Sequence, residues 1–265
     1  MEEMEIRLLE LIDEFNKKLD LISRYLNKNE FQFDIKEITN EDEFIPIPRQ
    51  LEEDPNKRRL GRVAHYSNGI ISFSYVSSQM IWYIAWLAFL IKSGQEDRFN
   101  ENDFIERLIR VDKVVDAEDM TCKNLHEWDN EDLNSIFLYA MSFLLCHELG
   151  HHVYQHPGYR DNNFKMRDPE LLKRNELQAD SFAADCVKDI SNIDENESEL
   201  GTYGIIVAQI AIMFIRNKEE HDITHPDPDT RLLNSLNGID RTPMMDRFIE
   251  NARDLSEIYL ERRFV

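Results

Sequence analysis

Cysteine is scarce in this sequence. The chain holds three, Cys122, Cys146 and Cys186. Their odd number, wide spacing and lack of a CxxC pair exclude a disulfide framework and a zinc knuckle. They read as reduced thiols of a cytoplasmic protein. Positive charge is scarce as well: 31 Lys and Arg face 52 Asp and Glu, a net charge of -21 over 265 residues. Such a surface repels phosphate backbones, so no nucleic-acid partner is expected. The N-terminus, Met1-Glu2-Glu3-Met4-Glu5, lacks the basic flank and apolar stretch of a signal peptide, and export is not expected. Long apolar runs are missing too. Ile70 to Ile91 carries no charge, but Ser72, Ser74, Ser77, Ser78 and Gln79 interrupt its first half. The continuous run is shorter than the roughly 20 residues of a spanning helix. Ile205 to Ile215 is shorter still and contains Gln209. Both read as buried core helices, and no membrane span is expected.

What is present suits a folded protein. A hydrophobic fraction of 42% supports a core and argues against wholesale disorder. Most of the charged residues are expected to solvate exposed helix faces. Residues 4–27 place apolar side chains at helical spacing, from Ile6 and Leu9 to Ile22 and Leu26. Phe31 to Ile38 alternates like a short strand, and 40–60 reads as an irregular connector with Pro46, Pro48 and Pro55. Asn68-Gly69 signals a turn before a strand over 70–75. Helices are expected from near Ser78 to Ser93-Gly94, over 100–116, from Asp129 to Gln155, from Leu171 to Asp189 and from Gly201 to Arg216. The acidic segment Ser191 to Glu199 reads as an exposed loop. The domain expectation is an N-terminal helix and connector over 1–60 and a catalytic domain over 61–265.

The chemistry concentrates at His147-Glu148-Leu149-Gly150-His151, an HExxH sequence. On a helix, positions four apart share a face, so two imidazoles can reach one Zn2+. Glu148 can then serve as general base toward water on that metal. By composition alone the pattern arises in roughly a few per cent of such chains, so it needs support. The metzincin continuation HExxHxxGxxH is excluded, because Tyr154 and Pro157 occupy its glycine and third-histidine places. Downstream, Asn175-Glu176-Leu177-Gln178-Ala179-Asp180 reads NExxAD. Glu176 can complete a His2Glu zinc site. Asp180, four residues on, can accept a hydrogen bond from the far nitrogen of a ligand histidine. His152 and His156 lie off the ligand spacing and read as surface or structural residues. Tyr154 and Tyr203 read as surface or core before oxyanion donors, and Cys146 as a buried thiol.

A third segment, Thr224-His225-Pro226-Asp227-Pro228-Asp229-Thr230-Arg231, follows an apolar helix. HExxH, ExxAD and HP…R in this order resemble the gluzincin endopeptidases that include the CAAX-prenyl and HtpX proteases. Size and the layout before HExxH also resemble the soluble, Lit-like phage-exclusion peptidases. The first resemblance implies an α+β, mostly helical, zincin-like fold with a small sheet, an HExxH helix and a glutamate-bearing helix. It implies His147, His151 and Glu176 as zinc ligands, Glu148 as base, Asp180 behind a ligand, His225 at the oxyanion and Arg231 bracing the site. His221 is an alternative to His225. The expected function is a cytoplasmic zinc endopeptidase acting on an intracellular protein or peptide substrate. Restricted activity leaves room for an activating protein or peptide. The rival reading is a non-catalytic zinc-binding interaction or sensor module in a phage-response or toxin–antitoxin system. A protease anchored to a membrane through residues 80–91 is a third.

Overall fold

The computed structural model describes residues 2–31, 64–67, 70–73, 75–113, 130–158, 165, 167–215 and 224–263. Its elements are α1 (Glu2–Lys28), β1 (Ala64–Ser67), β2 (Ile70–Phe73), α2 (Tyr75–Lys92), a 3-10 turn at Glu96–Arg98, α3 (Glu101–Lys113), α4 (Glu131–Val153), α5 (Pro169–Ser191), α6 (Glu195–Ile215), α7 (Pro228–Ser235) and α8 (Pro243–Arg263).

α4 is the centre of the molecule. It packs against α5 and α6 along most of its length, and α1, α2 and β1 also touch it. Its residues from Ile136 to His147 are buried without a break, because neighbouring helices cover it on every side. By length and composition α4 could cross a membrane, yet 83% of its apolar window is buried against the rest of the chain. The apolar run Met80–Lys92 is shorter and is likewise core, with Met80, Ile84, Ala88 and Leu90 fully buried. α2 ends where the sequence suggested. Gly94 has φ 66°, Gly94 N–H donates to Ile91 O at 3.2 Å, and Gln95 N–H to Leu90 O at 2.8 Å, a Schellman cap that favours glycine. α6 crosses α4 at Gly204, where an added Cβ would clash with Tyr139.

The expected α+β, zincin-like fold is corrected. The described residues form a helical assembly, and their β structure is one antiparallel hairpin pairing Ala64 with Phe73 and Ser67 with Ile70. Two four-residue strands are too short to found a layer of the core. The apolar surfaces of α2, α4 and α6 bury against one another instead. The expected strand over 31–38 and the 60/61 domain boundary fall outside the described residues. A second correction concerns 191–199. Helix α6 starts at Glu195, because Asp194 caps Glu197 N–H at 2.9 Å and acids in a first turn suit the helix dipole.

Candidate metal and catalytic site

Two helix starts and one glycine set the site. Asp168 accepts Glu170 N–H at 3.1 Å, with Pro169 in the first turn, and this fixes where α5 begins. Glu176 and Asp180 then lie one turn apart. Gly150 lets α5 come close to α4: a Cβ there would sit 3.1 Å from Ala179 Cα. Asp227 caps α7 through Asp229 N–H at 2.7 Å, and Arg231 follows one turn in, 3% exposed.

His147 Nε2 and His151 Nε2 lie 3.1 Å apart. Glu176 Oε2 is 3.5 Å from the first and Glu176 Oε1 is 3.6 Å from the second. Tetrahedral ligand atoms each 2.0–2.1 Å from one zinc would be about 3.3–3.4 Å apart. The donor set therefore fits an ion without rearrangement. These side chains form a group able to hold a metal among the described residues.

A second layer surrounds them. Asp180 Oδ1 lies 2.9 Å from His147 Nδ1, an ion-pair approach rather than a well-aligned hydrogen bond, since that nitrogen has no partner of good angle. Arg231 clamps Asp180 with both arms, Nε to Oδ2 and Nη2 to Oδ1, each at 2.8 Å. Its Nη1 lies 3.5 Å from Glu176 Oε2. His225 Nε2 lies 3.7 Å from Glu176 Oε1, and its Nδ1 faces Thr224 Oγ1 at 2.8 Å.

The charges follow from these contacts. Burial disfavours the His147 imidazolium, but Asp180 and Glu176 outweigh it and push the pKa up to about 10. Burial, and then the nearby His147 charge, push His151 down to about 3. Burial also works against the Glu176 carboxylate, yet His147 and Arg231 hold it well below the ordinary range. Arg231 and His147 likewise hold Asp180 down against burial. Metal ligands must be deprotonated, so an ion entering here would displace the His147 proton.

The structure thus brings His147, His151, Glu176, Asp180, His225 and Arg231 into one cluster drawn from α4, α5, α7 and the short segment before α7. Glu148 is half-buried on α4 beside the first of them. His221 falls outside the described residues. Tyr203 is fully buried in the α6 core, as its pattern suggested. Cys146 and Cys186 are free and buried, their sulfurs 3.2 Å apart. His156, read from the sequence as surface or structural, is half-buried and contacts His151. No ligand spacing on a continuous helix could have flagged it, because the chain leaves α4 in between.

The model of the family described as peptidase U49 matches residues 101–252. The chain belongs to the peptidase U49 family. The matched span contains His147, Glu148, His151, Glu176, Asp180, His225 and Arg231, so this peptidase family and the metal-competent cluster coincide in the chain. No curated protein and no solved structure matches.

Proposed function

We propose that this peptidase is a zinc-dependent endopeptidase with the His2Glu donor set of gluzincins. His147, His151 and Glu176 would hold the ion. The observation that carries the reading is the convergence of three protein donors within 4.8 Å of one another, with Glu148 next to the first of them along α4. Structural zinc sites close with four protein ligands, whereas catalytic ones keep a position for water or substrate. Zinc supplies Lewis acidity there, polarising a carbonyl and making water a better nucleophile at neutral pH.

The chain's own groups do the rest. Glu148 takes the proton of the attacking water and returns it to the departing amide nitrogen. His225, 3.7 Å from Glu176, stands where a donor can meet the negative oxygen that develops. Asp180 holds the His147 ring, and Arg231 holds Asp180 in turn. The substrate is a protein or peptide, with an activating protein or peptide admitted upstream. Zinc titration and N-terminal mapping of proteins in cells expressing wild type or Glu148→Gln test the reading. Zinc binding by both and new N-termini with wild type alone are expected. Equal cleavage by the variant overturns the mechanism, and absence of zinc binding overturns the metal assignment.

A further inference from the structure

We propose that His156 is a positioning residue for the metal site, fixing the ring and tautomer of His151 and tying it to the glutamate helix through Gln178. The inference rests on the reading of His147, His151 and Glu176 as a zinc site.

The backbone builds the contact. α4 ends in a Schellman cap, with Gln155 N–H donating to His152 O at 3.1 Å and His156 N–H to His151 O at 2.9 Å. Gln155 takes the left-handed conformation, φ 53°, where glycine is the usual occupant. This geometry brings the residue after the left-handed one back over the residue five earlier. Here that pair is His156 and His151, and Tyr154 stacks on the His156 ring with centroids 5.7 Å apart. A non-glycine residue in this conformation is uncommon, and here it accompanies the approach of His156 to His151.

The hydrogen-bond polarity then has a single solution. His151 presents Nε2 to His147 and Glu176, so zinc would bind Nε2 and Nδ1 must carry the hydrogen. His151 Nδ1 faces His156 Nδ1 at 2.9 Å, and one of the two must accept. His156 Nδ1 is therefore bare and its hydrogen is on Nε2. That nitrogen lies 3.1 Å from Gln178 Oε1, an acceptor. Every atom of the relay His151 → His156 → Gln178 finds a complementary partner. Gln178 sits between Glu176 and Asp180 in the chain, so α5 supports both ligand histidines: His147 through Asp180, His151 through His156. Partners of this kind are worth about 10–100-fold in metal affinity.

The test is zinc affinity by chelator competition for wild type, His156→Leu and His156→Asn, with 15N-histidine NMR of the zinc-loaded wild type. His156→Leu should bind zinc about 10–100-fold more weakly. His156→Asn, whose side-chain oxygen can accept from His151 Nδ1, should recover most of the loss. The NMR spectrum should show His151 as the Nδ1–H tautomer and His156 as the Nε2–H tautomer, a readout that needs no substitution should His156→Leu fold poorly. Wild-type affinity in a folded His156→Leu, no recovery in His156→Asn, or an Nδ1–H tautomer at His156 overturns the proposal while leaving the zinc site standing. A wild type that binds no zinc overturns both.

Discussion

Helix α4 carries two buried polar clusters of opposite design. Near its middle, the Tyr139 hydroxyl donates to the Glu197 carboxylate. The Lys18 ammonium lies 3.4 Å from that carboxylate and 3.7 Å from the centre of the Tyr139 ring. Each group there answers another, and the result fastens α1 and α6 to α4. Burial lowers the Lys18 pKa and, with Glu197, raises that of Tyr139. At the C-terminal end of the same helix, donors face donors. His147 Nε2, His151 Nε2 and the Glu176 oxygens point lone pairs at a common space, while their outer atoms are held by Asp180, His156 and Arg231. Saturation marks the first cluster as a fastening. Convergent lone pairs with a supported back side mark the second as a place for a cation.

The sharpest way to separate the two is through Glu148. Glu148→Gln should lower peptide hydrolysis by about 10²–10⁴-fold, the range for loss of a general base, with unchanged zinc content and melting temperature. A large loss of stability would move Glu148 from chemistry into the framework. Arg231→Met tests the supported back side. It leaves Asp180 buried without its bidentate partner and should cost about 3–5 kcal/mol in chemical denaturation, together with weaker zinc binding. A stable variant with intact zinc affinity would show that Arg231 braces nothing. Lys18→Met tests the saturated cluster. Glu197 keeps Tyr139 and the start of α6, so the expected cost is smaller, about 1–2 kcal/mol, with zinc affinity untouched. Any change in zinc binding there would break the distinction between the clusters.

Acid sensitivity gives the smallest effect. The Asp180 carboxyl is held below its ordinary value of 3.8, so the unfolded chain takes up that proton more readily than the folded one. The stability it contributes is complete above about pH 4 and is lost as pH falls through the lower folded value. Zinc-depleted Asp180→Asn should therefore show a shallower loss of stability below pH 4 than zinc-depleted wild type in parallel denaturant titrations. Identical slopes would place Asp180 outside the charge network.

The candidate ligands were legible because helical period alone puts His147 with His151 and Glu176 with Asp180. The helices α1, α2, α4 and α5 were legible to within a few residues for the same reason. Two other expectations failed, each for its own reason. Ser191 to Glu199 reads as an exposed loop; most of it is exposed, but from Glu195 it is the first turn of α6, half-covered at Glu197 by Lys18 and Tyr139 from remote parts of the chain. The sheet of a zincin-like fold came with the family resemblance, and the way the helices pack decided otherwise. The particular contact of His156 with His151 was not legible, because a cap, not a helix, carries it there.

The sequence by itself determined the chemistry available: two imidazoles and two carboxylates at spacings that a helix converts into shared faces. Tertiary structure alone decided that those faces meet. Gly150 has no Cβ to hold α5 away from α4, and the α7 cap delivers Arg231 to Asp180. Periodicity acts over four residues, whereas a metal site needs donors placed within a few tenths of an ångström by helices that the sequence order keeps apart.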